Sequence, residues 1–189
     1  MLKWCVSSYL EAQDKFRFSG IFRNVYLLKR PENHITDYKI NATLLNDNGI
    51  FTFINESSVG ITIKFNGKTC FVAPKNQVEL MVKNVKKWTA DTPNLYSLII
   101  SSNGEVIYEK VGFRKVSIDR KVFKINDEPI KLKGVNRHDF SPKTGATVTL
   151  KNVYGDIKIM KSLNVNAVRT SHYPNDKYMY YLCDRYGIL

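Results

Sequence analysis

Cysteine is scarce in this chain: 189 residues contain three. Cys5, Cys70 and Cys183 are odd in number and far apart, with no CxxC pair and no histidine at ligand spacing. That argues against a disulfide framework and a structural zinc site, and fits thiols kept in a reducing compartment. Long apolar runs are missing too. The opening stretch MLKWCVSSYLEAQDKF has one early lysine but no sustained hydrophobic segment, and nothing later reaches membrane-spanning length. The expectation is a cytoplasmic protein with no membrane partner.

Acidic residues are in short supply: 17 Asp+Glu stand against 29 Lys+Arg, a formal charge of +12. Such an excess would suit nucleic acid if it were concentrated. Here it is spread from Lys3 through Lys64 and Lys115 to Lys177, as on a solvated face, so no nucleic-acid partner is expected. Several catalytic signatures are absent as well. Ser171 and His172 are adjacent, a spacing that rarely lets one activate the other, and no G-x-S-x-G elbow surrounds the serine. His34, His138 and His172 show no H-x-x-x-H spacing, and there is no Gly-rich phosphate loop. A Ser/His hydrolase, and metal or nucleotide chemistry confined to this chain, are thereby unsupported. No internal repeat or low-complexity segment is found.

What is present is 43% hydrophobic residues, enough for one core and for more than one compact unit. Three textures succeed one another. Up to about residue 30, short apolar runs end in SGIFRNVYLLKRP, where Ile21, Phe22, Val25, Tyr26 and Leu27 predict a buried strand that needs partners. Between residues 31 and 115 come about seven strands, ITDYKINATLL, FTFINES, VGITIKFNG, TCFVAP, QVELMVKNV, LYSLIISS and EVIYEKVGF. They are β-branched and aromatic, and Asn/Asp/Gly/Pro turns separate them. Ser102-Asn103-Gly104 marks a hairpin. That spacing fits an immunoglobulin-like sandwich.

After about Val116 the grammar changes. IKLKGVNRH (130–138) predicts a strand, and TLKNVYGDIKIMKSLN a helix with Val153, Ile157, Met160 and Leu163 on one face. VNAVRTS predicts a second strand, NDKYMYYLCDRYG a second helix ended by Gly187, and Ile188-Leu189 the start of a third strand. This is the alternation of a parallel α/β fold.

In such folds ligands gather at the carboxyl ends of the strands. That rule selects Asn136-Arg137-His138-Asp139 and Arg169-Thr170-Ser171-His172-Tyr173. Two consecutive strands each bring a histidine and an arginine to one rim, a costly arrangement unless something polar fills the space. A sugar, with its many hydroxyls, would suit imidazoles that donate or accept. An arginine would hold a carboxylate ionised. An isolated strand-end His or Arg also serves as a loop anchor, and on pattern alone both roles stand.

The closing stretch, with Asn166, Arg169, Ser171-His172-Tyr173-Pro174, Leu182, Asp184 and Gly187, closely resembles the signature of glycoside hydrolase family 2. GVNRHD (134–139) and KKWTADTPNLY (86–96) resemble family segments in the same order, and SYLEAQDKFRFSGIFRNVYLL (8–28) is similar to the bacterial β-galactosidase branch. The resemblance implies three parts: residues 1–30 as the tail of a jelly-roll sugar-binding domain, 31–115 as an immunoglobulin-like β-sandwich, and 116–189 as the first units of a (β/α)8 TIM barrel.

It also implies roles. Asp14 would contact the galactosyl sugar and a sodium ion. His138 and His172 would hydrogen-bond sugar hydroxyls, Arg169 would hold the nucleophilic glutamate, and Asn136 and Arg137 would support the rim. Both catalytic glutamates and the Mg2+ ligands are expected beyond Leu189, so the isolated chain is expected to be inactive. Its partners would be a β-galactoside, the remainder of the enzyme and further copies of the full-length protein. A β-glucuronidase or β-mannosidase, or a non-catalytic carbohydrate- or partner-binding sandwich, are the alternatives.

Overall fold

The computed structural model describes residues 20–189. Two compact units are distinguished within it: Leu28–Leu132 with Asp184–Leu189, and Lys133–Cys183 with the described residues before Leu28.

In the first unit seven strands follow one another, β1 (Tyr38–Leu45), β2 (Asn48–Asn55), β3 (Ile61–Phe65), β4 (Lys68–Val72), β5 (Gln77–Val82), β6 (Tyr96–Ser102) and β7 (Glu105–Val111). They form two antiparallel sheets in the orders β1-β2-β5 and β4-β3-β6-β7. The seven strands fall in the stretches the sequence predicts. β2 shows why: Phe51, Phe53 and Asn55 are buried, with partly exposed residues between them. The two inner faces meet through Phe51 and Phe65, stacked 4.0 Å apart, and Phe53, Ile61, Ile63, Leu98 and Ile100 join the same core. Each large side chain so buried stabilises the sandwich by about 1.5–3 kcal/mol. Asn103 and Gly104 both take positive φ between Ser102 and Glu105, which directly face each other, so the Asn-Gly pair makes the tight two-residue hairpin its sequence predicts.

A small antiparallel sheet follows, β8 (Val116–Asp119), β9 (Val122–Ile125) and β10 (Glu128–Pro129), in the order β10-β9-β8. It groups with the first unit. Trp88, fully buried, sends its indole N–H to the Asp184 carbonyl at 2.7 Å. The Arg114 guanidinium lies 4.4 Å over the Trp88 ring and 2.9 Å from the Asp184 carboxylate.

The second unit holds β11 (Gly134–Arg137) and β12 (Ala167–Thr170), paired in parallel, with helix α1 (Leu150–Ser162) between them. This is a βαβ unit. Thr149 and Asn152 form a capping box that starts α1, and Val153, Ile157 and Met160 are its buried residues. Helix α2 (Lys177–Tyr186) opens with the Asp176 carboxylate accepting the Tyr178 N–H at 3.0 Å. It stops at Gly187, whose φ of +70° suits glycine and whose added Cβ would lie 2.0 Å from the Ala90 carbonyl.

Four expectations are corrected. Residues 21–28 form no strand, and Ile21, Val25 and Leu27 are exposed rather than buried. Among the described residues no neighbouring strand pairs their backbone groups, and a strand exists only where a partner does. β11 begins at Gly134, later than Ile130, because β12 pairs only from that register onward. Leu163 is the exposed C-cap of α1, beyond the helical face it was expected to share. Ile188 and Leu189 lie in no strand, although Ile188 is buried.

Candidate functional site

The parallel register places Asn136 opposite Arg169 and Arg137 opposite Thr170. Alternation then divides the polar residues between the two faces of the strand pair. Asn136 and Arg169 are exposed together on one face. Arg137 turns to the other face, where it is 7% exposed and its Nε donates to Asp156 of α1 at 2.9 Å.

Both strands deliver a histidine near their carboxyl ends, His138 directly after β11 and His172 two residues past β12. The His138 and His172 rings stand edge to face with centroids 5.5 Å apart, and the Tyr173 ring lies 5.9 Å from His138. His138 is half-buried and His172 exposed. The peptide between Ser171 and His172 is cis. The two imidazoles therefore offer donors and acceptors side by side at the mouth of the strands, an arrangement suited to neighbouring hydroxyls of one ligand.

Beneath them lies a knot of buried polar groups. Arg137 Nη1 donates to the Asp139 carboxylate and, at 2.9 Å, to the Asn175 side-chain oxygen. Its Nη2 is 2.9 Å from the Asp156 oxygen as an ion-pair contact, with no N–H aimed well enough to count as a hydrogen bond. Asp139 and Asn175 are each 4% exposed. The second oxygen of Asp139 accepts the Asp176 backbone N–H at 3.0 Å and lies 3.5 Å from Arg23, which also donates to the Pro174 carbonyl at 2.8 Å. The Tyr173 hydroxyl reaches the Asp139 carbonyl at 3.5 Å, and burial, as the largest cause, raises its pKa. The buried Arg137 and Asp139 thus balance each other, with the more exposed Asp156 and Arg23 at the edge of the knot.

Of the residues the sequence singles out, His138 and His172 are brought together, and Asn136 and Arg169 are register neighbours. Arg137 is directed into the knot. Asp14, with the sodium site expected on it, lies outside the described residues. No group of three or more His, Cys, Asp or Glu able to hold a metal occurs among the described residues. Asp139 is among the strand-end residues but has no role in the sequence reading, and Asp156 and Asn175 are not among its site residues. Asp139 is legible only as a strand-end neighbour of His138, and Asp156 and Asn175 carry no local signal.

Two domain families match in tandem: Glycosyl hydrolases family 2 over residues 27–114, and Glycosyl hydrolases family 2, TIM barrel domain, over residues 116–189. The chain belongs to glycosyl hydrolase family 2. Similar curated sequences include the β-galactosidase of Actinobacillus pleuropneumoniae, 44% identical over 99% of this chain and 19% of the relative, and that of Staphylococcus xylosus, 36% identical over 99% and 20%. The chain thus spans about one-fifth of the length of the curated relatives it matches. Similar solved structures include the β-D-glucuronidase of Dictyoglomus thermophilum, with a TM-score of 0.74, 28% identity, and coverage of 84% of this chain and 29% of that one. The β-glucuronidase 3 of Bacteroides uniformis has a TM-score of 0.78 at 22% identity, covering 89% and 23%, a likeness of fold.

Proposed function

We propose that this chain is part of a retaining β-galactosidase that hydrolyses terminal non-reducing β-D-galactose residues. The observation that carries the proposal is the His138–His172 pair above Asn136 and Arg169, at the carboxyl ends of parallel strands, in a chain whose sequence relatives are β-galactosidases. Strand order and family matches support an immunoglobulin-like sandwich over 31–115 followed by the opening of a (β/α)8 barrel over 116–189, and the proposed layout adds the tail of a jelly-roll domain over 1–30.

Retention requires two carboxyl groups roughly 5–5.5 Å apart, one acting as acid/base and one as nucleophile. In the proposal both are glutamates on later barrel strands. His138 and His172 bond sugar hydroxyls, more strongly as the ring approaches the oxocarbenium-like transition state. Arg169 keeps the nucleophile ionised by charge-assisted hydrogen bonding. Asp14 contacts the galactosyl unit and a sodium ion, and Mg2+ belongs to the remainder of the enzyme, which assembles as an oligomer in the cytoplasm. Taken alone, these 189 residues are inactive.

A second reading, a β-glucuronidase, is favoured by the solved structures of similar fold. Assaying the protein that carries this chain on aryl β-galactoside, β-glucuronide and β-mannoside decides between them. Turnover of the galactoside alone is expected, and turnover of the glucuronide alone overturns the substrate assignment.

A further inference from the structure

Asp139 occupies a peculiar position. It is next to His138 in sequence, it is almost wholly buried, and its carboxylate gathers groups from three separate segments. Arg137 reaches it from β11, the Asp176 N–H from the approach to α2, and Arg23 from the segment before the sandwich. Its carbonyl meets the Tyr173 hydroxyl. His138 thus lies between two anchored residues, Arg137 and Asp139. His172 lies between Ser171, 1% exposed with its N–H on the Arg137 carbonyl at 3.0 Å, and Tyr173, tied to Asp139.

We infer that Asp139 is a positioning residue: its carboxylate ties the loop after β11 to the loop after β12 and so fixes the spacing of the His138–His172 pair. With both oxygens already engaged inside the knot, it is not a surrogate for a catalytic carboxylic acid. The role as catalytic support rests on the glycosidase reading above, whereas the effect on the imidazole pair does not. Removing the charge leaves Arg137 facing Asp156 and Asn175 alone and frees the Asp176 N–H, so the two loops lose their common anchor. A misplacement of about 1 Å in a catalytic group can cost on the order of 10²-fold in rate.

The test uses the protein that carries this chain, with Asp139→Asn and Asp139→Glu variants. Two quantities are read: the rate at which diethyl pyrocarbonate modifies His138 and His172, mapped by mass spectrometry, and kcat on whichever aryl glycoside the wild type cleaves. In Asp139→Asn the modification rates are expected to change several-fold and kcat to fall by up to about 10²-fold. Asp139→Glu, which keeps the anion, should retain more of both. A folded Asp139→Asn protein with wild-type modification rates and wild-type kcat overturns the inference. Should Asp139→Asn fail to fold, Arg23→Ala removes the outer contact to Asp139 together with the bond to the Pro174 carbonyl, and it must still shift both the His138 and the His172 rates, or the inference falls. If the wild type cleaves a glucuronide instead of a galactoside, the substrate proposal fails while Asp139 is tested on the glucuronide. If it cleaves neither, the modification rates alone decide.

Discussion

His138 and His172 meet edge to face, their ring planes 89° apart, although they stand 34 positions apart in sequence. The parallel pairing of β11 and β12 brings both carboxyl ends to one rim, where His138 directly follows its strand and His172 lies one residue beyond the position opposite it. His172 is the more exposed of the two, so its removal should leave the fold in place. We predict that His172→Phe in the complete enzyme lowers kcat on its glycoside by roughly 10- to 100-fold, about 1.4–2.7 kcal/mol of transition-state stabilisation. The circular dichroism spectrum should be unchanged. Wild-type kinetics in this variant would remove His172 from the sugar site.

The KKWTADTPNLY segment makes a different kind of prediction. Trp88 is held by its N–H to the Asp184 carbonyl and by Arg114 over its ring. Trp88→Phe keeps the apolar bulk but forfeits the hydrogen bond and weakens the cation–π contact, a loss of about 1–3 kcal/mol. Equilibrium unfolding in urea, followed by far-ultraviolet circular dichroism, should show the midpoint fall accordingly. Glycosidase kinetics of the folded fraction should not change.

The seven sandwich strands could be read from the sequence because they are β-branched and aromatic, often alternate apolar with polar residues, and are set off by turn residues, and none of these signals needs knowledge of partners. The helices were legible for the same reason at their own period. What escaped depended on partners. Residues 21–28 carry strand-like composition yet form no strand pairing among the described residues, and β11 is trimmed to the register that β12 offers. The β8–β9 turn runs through Arg120 and Lys121, both at positive φ, a conformation their residue types do not announce. Asn126 and Asp127, also at positive φ, gave a turn signal for β9–β10 that could have been used. In the site, His138 and His172 followed from the strand-end rule, whereas the pairing of Arg137 with Asn175 crosses 38 residues and left no local trace.

Asn55 offers a test of the sandwich alone. It is fully buried, and its Nδ2 donates to the carbonyls of Val59 (2.8 Å), Val72 (3.1 Å) and Ala73 (3.0 Å) while its Oδ1 accepts the Ser57 N–H (2.8 Å). One amide thereby joins the end of β2 to the neighbourhoods of β3 and β4. Asn55→Ala should destabilise by about 1–3 kcal/mol through the buried groups left unpaired. Asn55→Asp should be worse, since it turns a buried carboxylate toward three carbonyl oxygens. Denaturant midpoints in the order wild type, Ala, Asp are expected, and an Asp variant as stable as wild type would refute the bonding pattern.

The entry of the chain into the sandwich should respond to acid. Arg30 holds both oxygens of Glu105, at 2.8 and 3.1 Å, and the Ile35 N–H adds a third bond at 2.9 Å. The Arg30 hydrogen bond, and after it the Ile35 N–H, lower the Glu105 pKa below the usual carboxylate value, against a smaller opposing effect of desolvation. Because the folded value lies below the unfolded one, the unfolded chain binds this proton more readily. The stabilisation is therefore complete above the unfolded glutamate value of about 4.3 and is lost as pH falls through the folded value. Glu105→Gln should accordingly lower the urea midpoint at pH 7 and differ less from wild type at pH 3. A gap between the two proteins that stays constant from pH 7 to pH 3 would show that the carboxylate charge plays no part in this clamp.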